Sequence, residues 1–386
     1  MKMRIHRRTL LLLLLGLCLA GICSAADWQL ALPGWRYEFP RDHFIHSAFK
    51  TEWWYFTGHL ADPSGRRFGY QLTFFRQGWR APGDGHGETS RFLVNDLKFA
   101  HFAISDVSGG QFHFQQKLNR GAFGEAGFSA FSRSEAPTSA KPLGLAWIDD
   151  WQLDWLGGDA FELKAKTTEA ALRLRVTSSK PWAINGENGV SQKAEGEGHA
   201  SHYYSGTRMD SEGEISVGGK SFRVTGESWL DREWATNSLA PGQAGWNWFS
   251  IQLDDGTDLM LYQMRRKDGS LDPNSSGTFM ARDGATQHLK RDDYQLTPER
   301  FWTSPETGAK YPIGWRLSIP RLELSLEIST LLQKQELVLK PIAYWEGLID
   351  TAGAHSGAKV RGQGYMELTG YSGALVGLSV NEAAIR

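Results

Sequence analysis

Cysteine is nearly missing from this chain: there are two, Cys18 and Cys23, and both fall within the first 23 residues. If that segment is removed, no thiol remains, which excludes disulfides, cysteine metal sites and a cysteine nucleophile. An exported protein without disulfides must stand on its core alone. About 360 residues remain for that purpose, ample for a core and enough to suggest two domains. Basic runs are absent after Arg8, and the 38 Lys and Arg left without the leader face 43 Asp and Glu. That mild acidity argues against nucleic acid and against an anionic membrane surface as partners. Sustained 3.6-residue periodicity is absent too, so helices should be few and short. Gly-x-Ser-x-Gly, P-loop, His-Glu-x-x-His and dinucleotide fingerprints are missing, so nothing calls for a cofactor. Gly226-Glu227-Ser228-Trp229 lacks the nucleophile elbow, which argues against a serine hydrolase.

What is present begins with a leader. Lys2, Arg4, Arg7 and Arg8 precede an apolar stretch from Leu10 to Ala20, and Ser24-Ala25-Ala26 offers small residues for cleavage before Asp27. The apolar stretch is shorter than the roughly twenty residues needed to cross a bilayer. Residues 1–26 therefore read as a cleaved signal peptide, with an uncleaved anchor as the alternative. The mature chain, without a transmembrane span, would be periplasmic or secreted. Cys23 follows Ile22 and Cys18 follows Leu17, where a lipobox wants a small residue, so lipid anchoring is a poor fit.

The remainder has the composition of a β protein. All sixteen Trp lie there, and Asp62-Pro63-Ser64-Gly65, Gly218-Gly219, Asp255-Gly256, Asp268-Gly269 and Asp283-Gly284 punctuate alternating runs as hairpin turns. Two motifs recur in the same order. Trp53-Trp54-Tyr55-Phe56 leads to Leu60 and Asp62, as Trp246-Asn247-Trp248-Phe249 leads to Leu253 and Asp255. Tyr203-Tyr204-Ser205-Gly206 precedes Gly226 to Asp231, as Tyr344-Trp345-Glu346-Gly347 precedes Gly362 to Glu367. A tandem duplication explains this better than chance. The fold expected is all-β, two tandem antiparallel β-barrels over 27–238 and 239–386, closed so as to leave no edges. Asn237 to Gly242 reads as the linker, and the Gly-, Ser- and Ala-rich stretch from Gly121 to Pro142 as a long loop or lid.

Candidate site residues sit on these strands. In an extended Gly226–Trp234, the side chains of Trp229, Asp231 and Glu233 share a face, with the two carboxylates roughly 7 Å apart. Inside an apolar cavity one of them could stay protonated and act as a general acid; at a strand end Arg232 could instead neutralise both. Glu52, Trp54 and Phe56 share one face of the earlier strand, and Trp53, Tyr55 and Thr57 the other. Glu52 is either a buried acid or the partner of Lys50 or an arginine. His199 and His202 form a weak metal signal without a third ligand, so no metal is expected. His202 shares a face with Tyr204, and the two could line a pocket. His43 and His46 could close a barrel end.

Lys50-Thr-Glu-Trp-Trp-Tyr-Phe-Thr-Gly58, Trp229-Leu-Asp-Arg-Glu-Trp234 and Tyr344-Trp-Glu-Gly347 resemble the marks of the AttH/CrtC group. That group holds lipocalin-like "predicted secreted hydrolases" and carotenoid 1,2-hydratases, and the resemblance runs from about Pro40 to Tyr371. It implies two lipocalin-like barrels, an architecture also similar to fungal Diels–Alderases. It further implies a large apolar ligand (polyene, terpenoid or lipid) and acid-assisted hydration or isomerisation of a C=C bond. Asp231 would be the acid, with Trp229 beside it and His202 and Tyr204 lining the pocket. Glu233, Glu52, Trp53 and Tyr55 complete the candidate ligand-binding set. The alternative is a non-catalytic periplasmic carrier of a hydrophobic ligand, with an ABC-type export system as candidate partner. Ser47 stands after His46 where the exported branch commonly shows Pro. Nothing in the sequence gives the oligomeric state.

Expressed with its leader in a Gram-negative host, the chain should appear in the periplasm or medium with Asp27 as its first residue. Mass spectrometry of the intact protein checks this, and a mass that retains residues 1–26 would overturn it.

Overall fold

The computed structural model describes residues 27–373 except 84–92, 135–136, 138–141, 238 and 340–341. The expected signal peptide lies outside the described residues, as do parts of the 121–142 segment and Ser238 of the linker.

Strands follow one another through tight turns whose aspartates supply the chemistry. The carboxylates of Asp62, Asp255, Asp268 and Asp283 accept hydrogen bonds from the backbone N–H two residues on, at 2.8, 2.9, 2.9 and 3.0 Å. Each closes an Asx turn and sets the hairpin that follows. The first set of strands is β1 (Thr51–Ala61), β2 (Arg67–Gly78), β3 (Asp96–Asp106), β4 (Gln111–Asn119), β5 (Ala126–Phe128), β6 (Leu143–Ile148), β7 (Trp151–Gly157), β8 (Ala160–Lys166), β9 (Ala170–Ser178), β10 (Ala183–Ile184), β11 (Ser191–Gln192), β12 (Ala200–Val217) and β13 (Lys220–Ala235). The second is β14 (Gln243–Leu253), β15 (Asp258–Arg266), β16 (Ser276–Met280), β17 (Thr286–Lys290), β18 (Gln295–Thr303), β19 (Lys310–Ile319), β20 (Leu324–Ser329), β21 (Glu336–Val338), β22 (Ala343–His355) and β23 (Ala358–Leu368). Part of the segment expected as a loop is therefore strand, since Ala126–Phe128 pairs with β6.

The first set makes one sheet, in the order β4-β3-β2-β1-β13-β12-β9-β8-β7-β6-β5, and the second makes another, β17-β16-β15-β14-β23-β22-β20-β19-β18. The first is a nearly closed barrel and the second a half-barrel, together the tandem lipocalin-like architecture. The duplicated motifs occupy matching places. In each sheet the final long strand returns to pair with the first, β13 with β1 and β23 with β14.

Burial separates two kinds of strand. In β9 and β20 apolar and exposed residues alternate: Leu172, Leu174 and Val176 point in while Arg173 and Arg175 face water. In β1, β2, β14 and β15 nearly every residue is buried, so both faces are covered. One face looks into its own barrel; the other packs against the opposite sheet. Gly69 on β2 allows that approach, since a Cβ there would lie 2.7 Å from the Tyr365 hydroxyl and 2.9 Å from Leu348.

The first barrel is filled by side chains, Trp54, Phe56, Trp151 and Phe161 among them, and capped by the segment carrying Phe44 and Phe49. An ion network is sealed within it. Arg232 donates to Glu52 at 2.6 Å and to the Phe44 carbonyl at 2.6 Å, and its guanidinium lies 3.7 Å over the Trp54 ring. Arg76 reaches the other Glu52 oxygen at 3.2 Å, and His46 stacks on Trp234 at 3.8 Å. Burial alone would raise the Glu52 pKa, but Arg232, His46 and Arg76 outweigh it and hold it at about 2. Of the two readings open for Glu52, the structure has the ion pair, with arginines rather than Lys50.

Glu52→Gln should lower the unfolding free energy near pH 7 by about 3–5 kcal/mol, because Arg232 would be left buried with its main partner gone. A carboxyl whose folded pKa is depressed stabilises above its unfolded value near 4.5 and loses that contribution as pH falls toward about 2. Denaturant titrations should therefore show a constant gap between wild type and variant from pH 5 to 8, closing below that. A gap unchanged at pH 3 would contradict the assignment.

Candidate functional site between the two sheets

The strands buried on both faces bring two ordered rows of side chains together. On the first barrel, register places Ser205, Asp231, Tyr55 and Thr73 side by side across β12, β13, β1 and β2. The row on one flank is Tyr203, Glu233 and Trp53, and on the other Trp229, Thr57 and Gln71. The half-barrel offers Tyr262, Trp248, Glu367 and Glu346 across β15, β14, β23 and β22. Beside them run Met260, Ser250, Tyr365 and Leu348. The rows meet in one buried cluster. Trp248 Nε1 donates to the Tyr203 hydroxyl at 3.1 Å, and Ser191 Oγ and the Tyr262 hydroxyl pair at 3.0 Å. His101 Nδ1 and the Tyr344 hydroxyl pair at 2.7 Å.

Asp231 is held in this interface by neutral donors alone. It is 3 % exposed, and it accepts from Ser205 Oγ at 2.6 Å, from Trp229 Nε1 at 2.7 Å and from the Tyr203 hydroxyl. Arg232, next in sequence, points to the opposite face and is spent on Glu52, so it does not neutralise Asp231. Burial pushes the Asp231 pKa up, and the Glu233 charge adds to it. The three donors pull it back, and it comes to rest at about 7. At neutral pH this carboxyl exists in both states, the condition a general acid needs. Glu233 accepts from Ser201 and pairs with Lys193 at 3.2 Å, the one ion pair that Asp231, Glu233, Glu346 and Glu367 make among the described residues. Lys193 also sits 3.9 Å from the Tyr262 ring centre.

Two further acids come from the half-barrel. Glu367 accepts from Trp246 Nε1 at 2.8 Å; burial and then the charges of Asp231 and Glu233 raise it to about 7, against that hydrogen bond. Glu346, its direct cross-strand neighbour, is raised well above the usual range by burial and by Glu367. The other end of the interface is different in kind. There Asp258 is met by Lys180 at 2.7 Å and Arg208 at 2.8 Å, and Asp350 by Arg67 at 2.6 Å. Two lysine- or arginine-paired aspartates staple one end of the seam, while at the other the protonatable acids collect with Lys193 as their one cation among the described residues.

The sequence-derived candidates therefore divide. Asp231, Trp229, Glu233, Trp53 and Tyr55 lie on the face between the sheets. Glu52, His202 and Tyr204 lie on the opposite face, away from Asp231. Tyr204 pairs with His43 Nδ1 at 2.6 Å, and His202 Nδ1 with the Gly189 carbonyl at 2.9 Å. Parity decides this: Ser205 is the β12 residue opposite Asp231, so Tyr203 shares its face and Tyr204 does not. Tyr203, Ser205, Trp248, Glu346 and Glu367 went unnoticed in the sequence as site residues, although the repeat aligns Glu367 with Asp231 and Glu346 with Ser205. Among the described residues no three His, Cys, Asp or Glu side chains converge as a metal ion would need.

The model of the family described as AttH-like matches residues 30–371. An AttH protein from Nitrosomonas europaea has a similar crystal structure, with 34% identity, 89% of this chain and 99% of that one covered, and a TM-score of 0.77. Kievitone hydratase from Nectria haematococca is similar in fold at 14% identity, covering 90% and 97% of the two chains with a TM-score of 0.65. CghA, solved with Sch210972, is similar in fold at 12% identity over 90% and 97%, with a TM-score of 0.53. No curated protein matches in sequence.

A raised carboxyl pKa has a definite sign in stability. Between its unfolded value near 3.8 and its folded value of about 7, the folded state holds the extra proton, so stability falls as pH rises through that window. Asp231→Asn should flatten the decline in melting temperature between pH 4 and 7 relative to wild type, leaving the part due to Glu367 and Glu346. Equal slopes in both proteins would mean that Asp231 ionises normally.

Proposed function

The chain belongs to the AttH-like family, and on that premise we propose that it is an exported enzyme that binds a large apolar molecule between its two sheets and adds water to, or shifts, a C=C bond, with Asp231 as general acid. One observation carries this reading: a carboxyl buried among Trp229, Trp248, Tyr203 and Tyr55, bound by three neutral donors and no cation, with its pKa at about 7. The fold it shares with a hydratase supports it.

The chemistry balances on this chain's own groups. The Asp231 O–H bond breaks as its proton forms a C–H bond at the less substituted alkene carbon, leaving a tertiary cation. The faces of Trp248, Trp229 and Tyr55 can stabilise that cation by roughly 0.5–2 kcal/mol each. Water forms the C–O bond, and the oxonium proton returns to the Asp231 carboxylate. Loss of a neighbouring C–H proton to the same carboxylate gives isomerisation instead. Tyr203 and Ser205, fixed on the same face, hold the carboxyl in place through both half-reactions.

The test is turnover in H₂¹⁸O with isoprenoid or polyene olefins that carry a trisubstituted terminal double bond, preceded by native mass spectrometry for a co-purifying apolar molecule. Wild type should incorporate ¹⁸O, with a rate that falls as pH climbs past about 7 because the acid form is lost. Asp231→Asn should bind the same olefin within about twofold and lose at least about 100-fold in rate. Binding without turnover by the wild type on any such olefin would replace the enzyme with a carrier of hydrophobic ligands.

A further inference from the structure

Asp231, Glu233 and Glu367 each accept a well-formed hydrogen bond, but Glu346 does not. Both of its carboxyl oxygens are without a hydrogen-bond partner although the residue is 2 % exposed. The Tyr55 hydroxyl and Gln71 Oε1, on residues 7 % and 1 % exposed, are unpartnered as well. Tyr55 and Tyr344 approach Glu346, and Tyr344 approaches Gln71, closely enough to affect ionisation, without closing a hydrogen bond of good geometry to Glu346 or to Gln71 Oε1. Three unsatisfied polar groups in one sealed region are costly, since each buried group without a partner forfeits about 1–3 kcal/mol. They come from β22, β1 and β2, so both sheets must be packed together for the group to exist.

We propose that Glu346, Tyr55 and Gln71 form a polar subsite that takes the hydroxyl group of the ligand, so that the site is built for a long apolar alcohol rather than a bare hydrocarbon. This rests on the reading of an apolar ligand between the sheets and adds the polar end of that ligand. The donor and acceptor inventory fits. A protonated carboxyl and a phenol each offer one donor and one acceptor, the Gln71 carbonyl offers an acceptor, and an alcohol supplies one donor and two acceptor positions. Burial, then the neighbouring Glu367, pushes the Glu346 carboxyl well above the usual carboxylate range, which favours its protonated form. Asp231 and Tyr55 are direct cross-strand neighbours, and so are Glu346 and Glu367. A ligand anchored by its hydroxyl at Glu346 would therefore run past Tyr55 toward Asp231.

The experiment titrates the full mature protein with farnesol and with farnesene, a matched isoprenoid alcohol and hydrocarbon, reading quenching of tryptophan fluorescence. Wild type should bind farnesol at least about tenfold more tightly than farnesene. Glu346→Leu should erase that preference and raise the melting temperature of the free protein. Glu346→Gln, which keeps a donor and an acceptor, should retain most of it. Tyr55→Phe removes a single hydroxyl that closes no hydrogen bond of good geometry, so it should fold as wild type does and reduce the preference, which covers the case of Glu346→Leu failing to fold. Equal affinity for the two probes in wild type, the result a subsite filled only by water would give, overturns this inference and leaves the apolar-ligand reading standing. A preference that survives Tyr55→Phe and every folded Glu346 variant also overturns it. Binding of neither probe overturns both readings.

Discussion

Everything distinctive in this protein follows from one packing constraint: two β-sheets press their outer faces together where lipocalin-like barrels standing alone would face water. A strand with one wet face can carry carboxylates there at no cost. On β1, β13, β22 and β23 that face is dry, and a carboxylate must find a cation, find donors or stay protonated. The seam uses all three solutions. Asp258 has Lys180 and Arg208, Asp231 has Tyr203, Ser205 and Trp229, and Glu346 keeps its proton. The polarity of the seam, stapled at one end and protonatable at the other, comes from where these solutions fall along the strands.

Duplication explains why the acids come in corresponding pairs. The return strand of each sheet carries, toward its C-terminal end, an acid aligned with its counterpart, Asp231 on β13 and Glu367 on β23. Each accepts from an indole on its own sheet, Trp229 Nε1 and Trp246 Nε1 respectively. The symmetry breaks one strand over. Ser205 donates to Asp231, whereas the aligned position in the second sheet holds Glu346, a carboxyl beside another acid. This difference within the repeat is what sets a second buried carboxyl beside Glu367, facing Tyr55.

Much of this was legible before any coordinates. Turn residues and period-two alternation gave the β class, and the recurrence of Trp-x-Trp/Tyr and of Tyr-x-x-Gly gave the tandem arrangement. Alternation also grouped Trp229, Asp231 and Glu233 on one face and His202 with Tyr204. It could not say that these two groups lie on opposite faces, because that depends on the register between β12 and β13, and register is a long-range property that a single strand does not encode. Nor could it say which face was the barrel interior. Strands buried on both sides carry aromatic and polar residues on each, so hydrophobicity does not distinguish lumen from seam.

The run Trp229-Leu-Asp-Arg-Glu-Trp234 shows what that ambiguity conceals. Even-numbered Leu230, Arg232 and Trp234 build the first barrel's core, where Arg232 neutralises Glu52 beneath the Trp54 and Trp234 rings. Odd-numbered Trp229, Asp231 and Glu233 build the seam. One short motif thus serves two environments that must not mix. If Arg232 faced the seam, it would hold Asp231 ionised, and the proton needed for acid chemistry would be gone. Strand alternation sets the guanidinium on the far face, where Glu52 neutralises it, so no arginine stands beside the carboxyl behind it. The core network and the candidate site are separate in space, and the alternation of a single strand keeps them so.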